Sequence, residues 1–80
     1  MSAETGSNTK VIYIPLLDEG TDVVRPTMGV PLGGNLYRVL ATPVYDSSDE
    51  RWKFPPGSVV RCLSEMRDGD EVLVAQELES

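Results

Sequence analysis

The chain has 80 residues and a mass of 8.8 kDa, enough for one small domain. Thirteen acidic against seven basic side chains give a net charge of −6 and a pI near 4.4, the wrong sign for a protein that wraps a nucleic-acid backbone. Hydrophobic residues make up 40% and charged residues 25%. That is a globular composition, without the roughly 20-residue apolar run of a membrane-spanning helix or the basic-then-apolar start of a secretory signal.

Residues 1–9 are small and polar and read as a disordered leader. A single domain is expected over residues 10–77, with residues 78–80 as a tail. Val11-Ile12-Tyr13-Ile14, ended by Pro15, is the first strand. A polar loop with Asp18, Glu19, Gly20 and Asp22 follows. Residues 23–32 alternate with period 2. Val24, Pro26, Met28, Val30 and Leu32 lie on one face, and Arg25, Thr27, Gly29 and Pro31 on the other. Gly33-Gly34-Asn35 is a tight-turn signal leading into a third strand over residues 36–42. Strands over residues 58–66 and 71–77 follow, joined by a hairpin turn at Asp68-Gly69.

Residues 43–57 lie between the third and fourth strands. A segment this long without structure of its own is uncommon in a compact domain and is often functional. It carries the chain's one Trp and one Phe, so part of it must pack, and residues 51–54 are the best candidate for an extra strand.

No segment shows a helical period, and six prolines and seven glycines punctuate the chain at intervals suited to short strands. Five such strands are too few for two sheets of a sandwich. One bent sheet closed into a barrel also removes exposed edges. The expected fold is all-β: a small, five-stranded, SH3-like, partly open barrel, with an OB-like barrel as the alternative. The expected core is Ile12, Ile14, Val24, Leu36 or Tyr37, Val39, Val60, Cys62, Leu73 and Ala75.

Cys62 is the one cysteine and histidine is absent. An intrachain disulfide and the Cys/His zinc sites are thereby excluded, and a lone thiol suits a reducing cytoplasm. Without histidine, a Ser-His or Cys-His nucleophile pair cannot be built within the chain. The expectation is a protein that is not an enzyme, with no catalytic residues, no cofactor and no metal.

The candidate binding residues are of two kinds. Asp18, Glu19 and Asp22 form an acidic loop suited to a basic partner, or else a solvated turn whose acids accept local backbone hydrogen bonds. Trp52, joined by Tyr45, is either an aromatic anchor for a protein partner or a plug for the barrel. Tyr13 and Tyr37 are further aromatic candidates. In an extended segment Trp52 and Phe54 share one face, with Arg51 and Lys53 on the other. Arg25, Arg38 and Arg61 are candidates for contact with an anion if they gather on one sheet face. Otherwise they pair with the surplus carboxylates.

Ile12 to Thr21 (Ile-Tyr-Ile-Pro-Leu-Leu-Asp-Glu-Gly-Thr), Arg25-Pro26, Leu36-Tyr37-Arg38-Val39-Leu40 and Trp52-Lys53-Phe54-Pro55-Pro56-Gly57-Ser58-Val59-Val60-Arg61-Cys62 carry a resemblance. The chain resembles a group of small, functionally uncharacterised bacterial and mobile-element proteins. They share a hydrophobic-Pro-Leu-Leu-Asp-Glu-Gly-Thr start and a Trp-x-Phe-x-Pro-Gly-x-x-Val-Arg-Cys end. The resemblance covers most of residues 10–62 and implies no activity. Residues 56–60 are also similar to the Gly-Asp-x-Val entry of ribosomal SH3-like barrels. Ser58 stands in place of the Asp, so RNA binding is not implied.

The expected function is a non-catalytic protein-interaction module using the acidic loop and the aromatic-bearing loop. One alternative is an acidic phage or mobile-element inhibitor that occupies the nucleic-acid-binding surface of a host defence enzyme. A nucleotide or RNA binder ranks third because of the charge. The expected partner is a protein, with neither membrane nor nucleic acid involved, and a homodimer is compatible with the sequence.

Overall fold

A computed structural model describes residues 9–17, 23–43, 45–46 and 48–79. The strands are β1 (Lys10–Pro15), β2 (Val24–Gly33), β3 (Leu36–Val39), β4 (Val59–Arg67) and β5 (Asp70–Leu78). They form one ring in chain order. Consecutive strands pair antiparallel. An odd number of alternating strands brings the first and last together in the same direction, so β1 and β5 pair parallel. This seam holds two residue pairs, Ile12 with Leu73 and Tyr13 with Val74. The architecture is therefore the expected all-β, five-stranded, partly open barrel. Among the described residues there is no helix, and none that crosses a membrane.

The alternation sorts the connections. The short turns at Gly34-Asn35 and Asp68-Gly69 lie at one end of the ring, and the stems of the two long connections lie at the other. Asp68 and Gly69 both have positive φ, 52° and 85°. This is the left-handed pair that a two-residue hairpin matching the strand twist requires.

The interior is filled by Ile12 and Ile14 from β1, Tyr37 and Val39 from β3, Val60 and Cys62 from β4, and Ala75 from β5, with Trp52 and Phe54 added from the long connection. Leu73 packs against this cluster while half-buried. Of Leu36 and Tyr37 it is Tyr37 that points inward, and one expected core residue changes: Val24 is half-buried and outside the cluster.

Val24 falls outside because the inward face of β2 is the opposite one. Thr27 and Gly29 are buried, whereas Met28 and Leu32 are exposed. A slip of one residue exchanges the faces of a strand. The interior face carries the smaller side chains because β1 fills the space. A Cβ on Gly29 would lie 2.8 Å from Cδ1 of Ile12. The Thr27 hydroxyl, buried beside it, donates to the Leu40 carbonyl at 2.5 Å. Val74 is buried outside the core cluster, at the seam, where Tyr13 and Leu63 are its cross-strand neighbours.

β3 ends at Val39 rather than at residue 42. The chain then returns through Pro55-Pro56-Gly57, with Gly57 N–H donating to Val39 O (2.8 Å) and Val39 N–H to Ser58 O (2.8 Å). β5 holds an extra residue, Gln76, between the Arg61–Glu77 and Cys62–Ala75 pairs. Such a bulge bends the strand and helps the sheet curl into a ring. The expected leader falls largely on residues 1–8, which lie outside the described residues. At the other end β5 runs to Leu78, and Glu79 N–H donates to Val59 O at 2.8 Å.

Candidate functional site

The long connection is strapped across one end of the barrel by β1. Leu16 and Trp52 form an isolated antiparallel bridge. Leu17 N–H donates to Arg51 O (2.7 Å) and Lys53 N–H to Pro15 O (2.9 Å). The expected extra strand over residues 51–54 is thus reduced to one bridge, but its alternation survives. Trp52 and Phe54 are buried, and Arg51 and Lys53 are exposed. The Lys53 ammonium lies 5.6 Å from the centre of the Phe54 ring, a distance at which a cation is attracted to an aromatic face.

Trp52 is 4% exposed. Tyr45 meets it edge-on, with centroids 4.7 Å apart and planes at 67°. Its indole N–H donates to Glu50 Oε1 at 2.8 Å, which satisfies the one polar atom the ring carries inward. Of the two readings of Trp52, its burial is that of the plug: the ring closes the barrel end. Tyr45 is half-buried against the same cluster and keeps a partly open face.

Glu50 joins this plug to β2. Its Oε2 accepts from Arg25 Nε at 2.9 Å and from Arg25 Nη2. The Arg25 hydrogen bond first, and then the indole, hold the Glu50 carboxyl below the ordinary glutamate value of 4.5. A carboxylate whose pKa falls on folding adds stability above its unfolded value, and that stability is lost as pH drops through the folded one. Thermal melts of Glu50→Gln should therefore lie below those of the unmodified protein above the ordinary glutamate value and converge with them as pH falls through the lowered one. A difference that stays constant with pH would show that the charge is irrelevant.

Asp46 and Asp49 stand beside this clamp. Asp46 Oδ1 accepts from Ser48 N–H (2.9 Å) and from Ser48 Oγ (2.6 Å). The Asp46 carbonyl accepts from the N–H groups of Asp49 and Glu50, each at 3.0 Å. An aspartate that bonds its own backbone two residues on builds and stiffens its turn. The Ser48 hydroxyl and amide hold the Asp46 carboxyl below its ordinary value. Together Arg25, Thr42, Asp46, Asp49 and Glu50 line an open hollow with three carboxylates and one guanidinium. Asp46, Asp49 and Glu50 are not among the residues expected from the sequence. The Asp-x-Ser spacing was a visible signal for the turn, but the Arg25–Glu50 clamp joins residues 25 apart and leaves no local trace.

Asp18, Glu19 and Asp22 lie outside the described residues. The flanking stem is described: Leu16 N–H donates to Val23 O at 2.9 Å. The three arginines do not converge. Arg25 belongs to the Glu50 clamp at the barrel end. Arg38 and Arg61 are diagonal neighbours on the outer face of β3 and β4, where Arg38 pairs with Val59 and Leu36 with Arg61. Arg61 contacts Glu77 (3.2 Å) and Glu79 (3.1 Å). Arg25 and Arg61 are thus paired with carboxylates, the other of the two expected arrangements, and such pairs have little energetic weight at exposed positions.

Cys62 is buried, and burial pushes its thiol up to about 11, the setting of an inert core residue rather than a nucleophile. Among the described residues, no three His, Cys, Asp or Glu side chains are grouped to hold a metal ion. Compared with protein-family models, curated proteins and solved structures, the chain matches none of them.

Proposed function

We propose that the chain is a non-catalytic protein-interaction module that docks a basic protein partner at the loop-bearing end of the barrel. The stapling of the two loop stems carries this reading. Leu17 is hydrogen-bonded to Arg51, and Leu16 is bridged to Trp52. The loop bearing Asp18, Glu19 and Asp22 is thereby rooted beside the turn that presents Asp46 and Asp49. Binding residues concentrate on loops held by a rigid frame, and a surplus of one charge, here three carboxylates to one guanidinium in the hollow, steers a partner of the opposite charge. Trp52 acts here as the foundation of the surface, with Tyr45 at its rim.

The test is affinity capture with the tagged protein at low and high salt, alongside the double variant Asp46→Asn with Asp49→Asn. A protein held at low salt, released at high salt and lost on the variant is the expected result, because exposed charges are screened within about 10 Å at about 0.1 M salt. An unchanged set of captured proteins on the variant would remove the site.

A further inference from the structure

At the end of the barrel away from those loops, β4 outruns β3. β3 pairs with β4 at Val59, Val60 and Arg61, and the last bond on that side is Cys62 N–H to Asn35 O at 2.9 Å. β4 nevertheless continues to Arg67, paired with β5 along its whole length. Among the described residues, nothing pairs with the β3 side of β4 beyond Cys62.

The direction of the backbone groups on that edge follows from the hairpin. A two-residue turn of this type is closed by a hydrogen-bonded pair, here Arg67 and Asp70. Odd-numbered residues of β4 therefore bond toward β5 and even-numbered residues toward β3. Two contacts agree: Val59 O accepts from Glu79 on the β5 side, and Cys62 N–H donates to Asn35 on the β3 side. The amide and carbonyl of Ser64 and Met66 thus point out of the sheet. Met66, at 69% exposure, is the most exposed large hydrophobic residue among those described.

We propose that this edge is the interface of a symmetric dimer, in which β4 of a second copy adds antiparallel to it and the two barrels form one continuous sheet. The side chains select both the occupant and the register. With Met66 on the two-fold axis, Met66 faces its counterpart and exchanges two backbone hydrogen bonds with it. Glu65 then stands opposite the second copy's Arg67, and Arg67 opposite the second copy's Glu65. Opposite charges directly across an antiparallel pair stabilise it, and like charges oppose it. Moving the axis by one residue, to Glu65, sets glutamate against glutamate. A two-fold interface demands self-complementarity, and Glu65-Met66-Arg67 supplies it: an apolar centre flanked by opposite charges. In the single chain Glu65 and Arg67 already touch at 3.1 Å on one face of the strand, and Gln76 Nε2 donates to the other Glu65 oxygen at 2.8 Å, so both charges are held on the face that the second copy would meet. The proposal is independent of the docking end, which stays open in both copies.

Sedimentation velocity from about 10 μM to about 1 mM is the first measurement, since a small interface gives a weak dimer. The unmodified protein should pass from monomer to dimer across that range. Glu65→Arg and Arg67→Glu should each shift the midpoint upward by at least about tenfold. An equimolar mixture of the two variants should recover the dimer. One variant then presents two arginines on this edge and the other two glutamates, so each cross-strand pair is again of opposite charge. Amide exchange on the unmodified protein supplies a second readout free of any folding question. Exchange at Met66 should slow as concentration rises. A monomer throughout, a dimer indifferent to both substitutions, a mixture that stays monomeric, or a Met66 amide whose exchange ignores concentration would each overturn the proposal.

Discussion

Trp52→Ala is expected to lower the unfolding free energy by about 3–5 kcal/mol, the cost of truncating a buried aromatic and leaving its cavity. Small domains have about 5–15 kcal/mol in all, so the variant should lose a large share of its stability and melt at a much lower temperature. The expectation rests on three observations. The ring is 4% exposed, Tyr45 is stacked on its edge, and its N–H is the inner end of the Glu50–Arg25 clamp. Trp52→Phe separates packing from hydrogen bonding. It retains most of the apolar bulk and loses the donor, so its cost should be nearer about 1 kcal/mol. Chemical denaturation of the two variants decides the matter. An alanine variant that melts with the unmodified protein would return Trp52 to the surface and revive its role as an anchor.

Gly29→Ala should cost about 1–3 kcal/mol, although alanine is ordinarily no worse than glycine in a strand. The new methyl would sit 2.8 Å from Cδ1, 3.2 Å from Cγ1 and 3.3 Å from Cγ2 of Ile12. Three atoms of a β-branched, fully buried side chain cannot all swing away in one rotamer change. Ile12→Val removes the nearest of the three. Combined with Gly29→Ala, it should therefore cost less than the sum of the separate changes, as expected for residues in contact. Strict additivity in a double-mutant cycle would mean that the two residues do not compete for the same space.

These two positions also mark where the sequence was legible. Strand number and order, the Asp68-Gly69 hairpin and the inward Ile12, Ile14, Val39, Val60, Cys62 and Ala75 follow from period-2 alternation and turn chemistry. Those signals are local. The inward face of β2 is not legible in this way, because Val24, Met28 and Leu32 form the more hydrophobic face. The choice was made instead by the volume of Ile12 on the neighbouring strand, which leaves room for Gly29 and Thr27 alone. In the same way, the sequence allows Trp52 as plug or anchor, and the deciding contact, through Glu50 to Arg25, is not local. The site on the long connection was legible as a region, by its length and aromatic content. Its acids were not, because what fixes them is a contact across 25 residues.

The parallel seam has a consequence for the order of folding. Ile12 and Ile14 lie in the first strand, yet the β5 partners that close the ring over them, Leu73 and Val74, come about 60 residues later. Closing so large a loop costs entropy before any contact offsets it. The β4–β5 hairpin, joined by two residues, has no such delay and can form in microseconds. The late half of the chain should therefore acquire order first and the early strand dock last. A chain still being synthesised can pair β1 with β2, but its ring stays open along the other edge of β1 until β5 has cleared the ribosome.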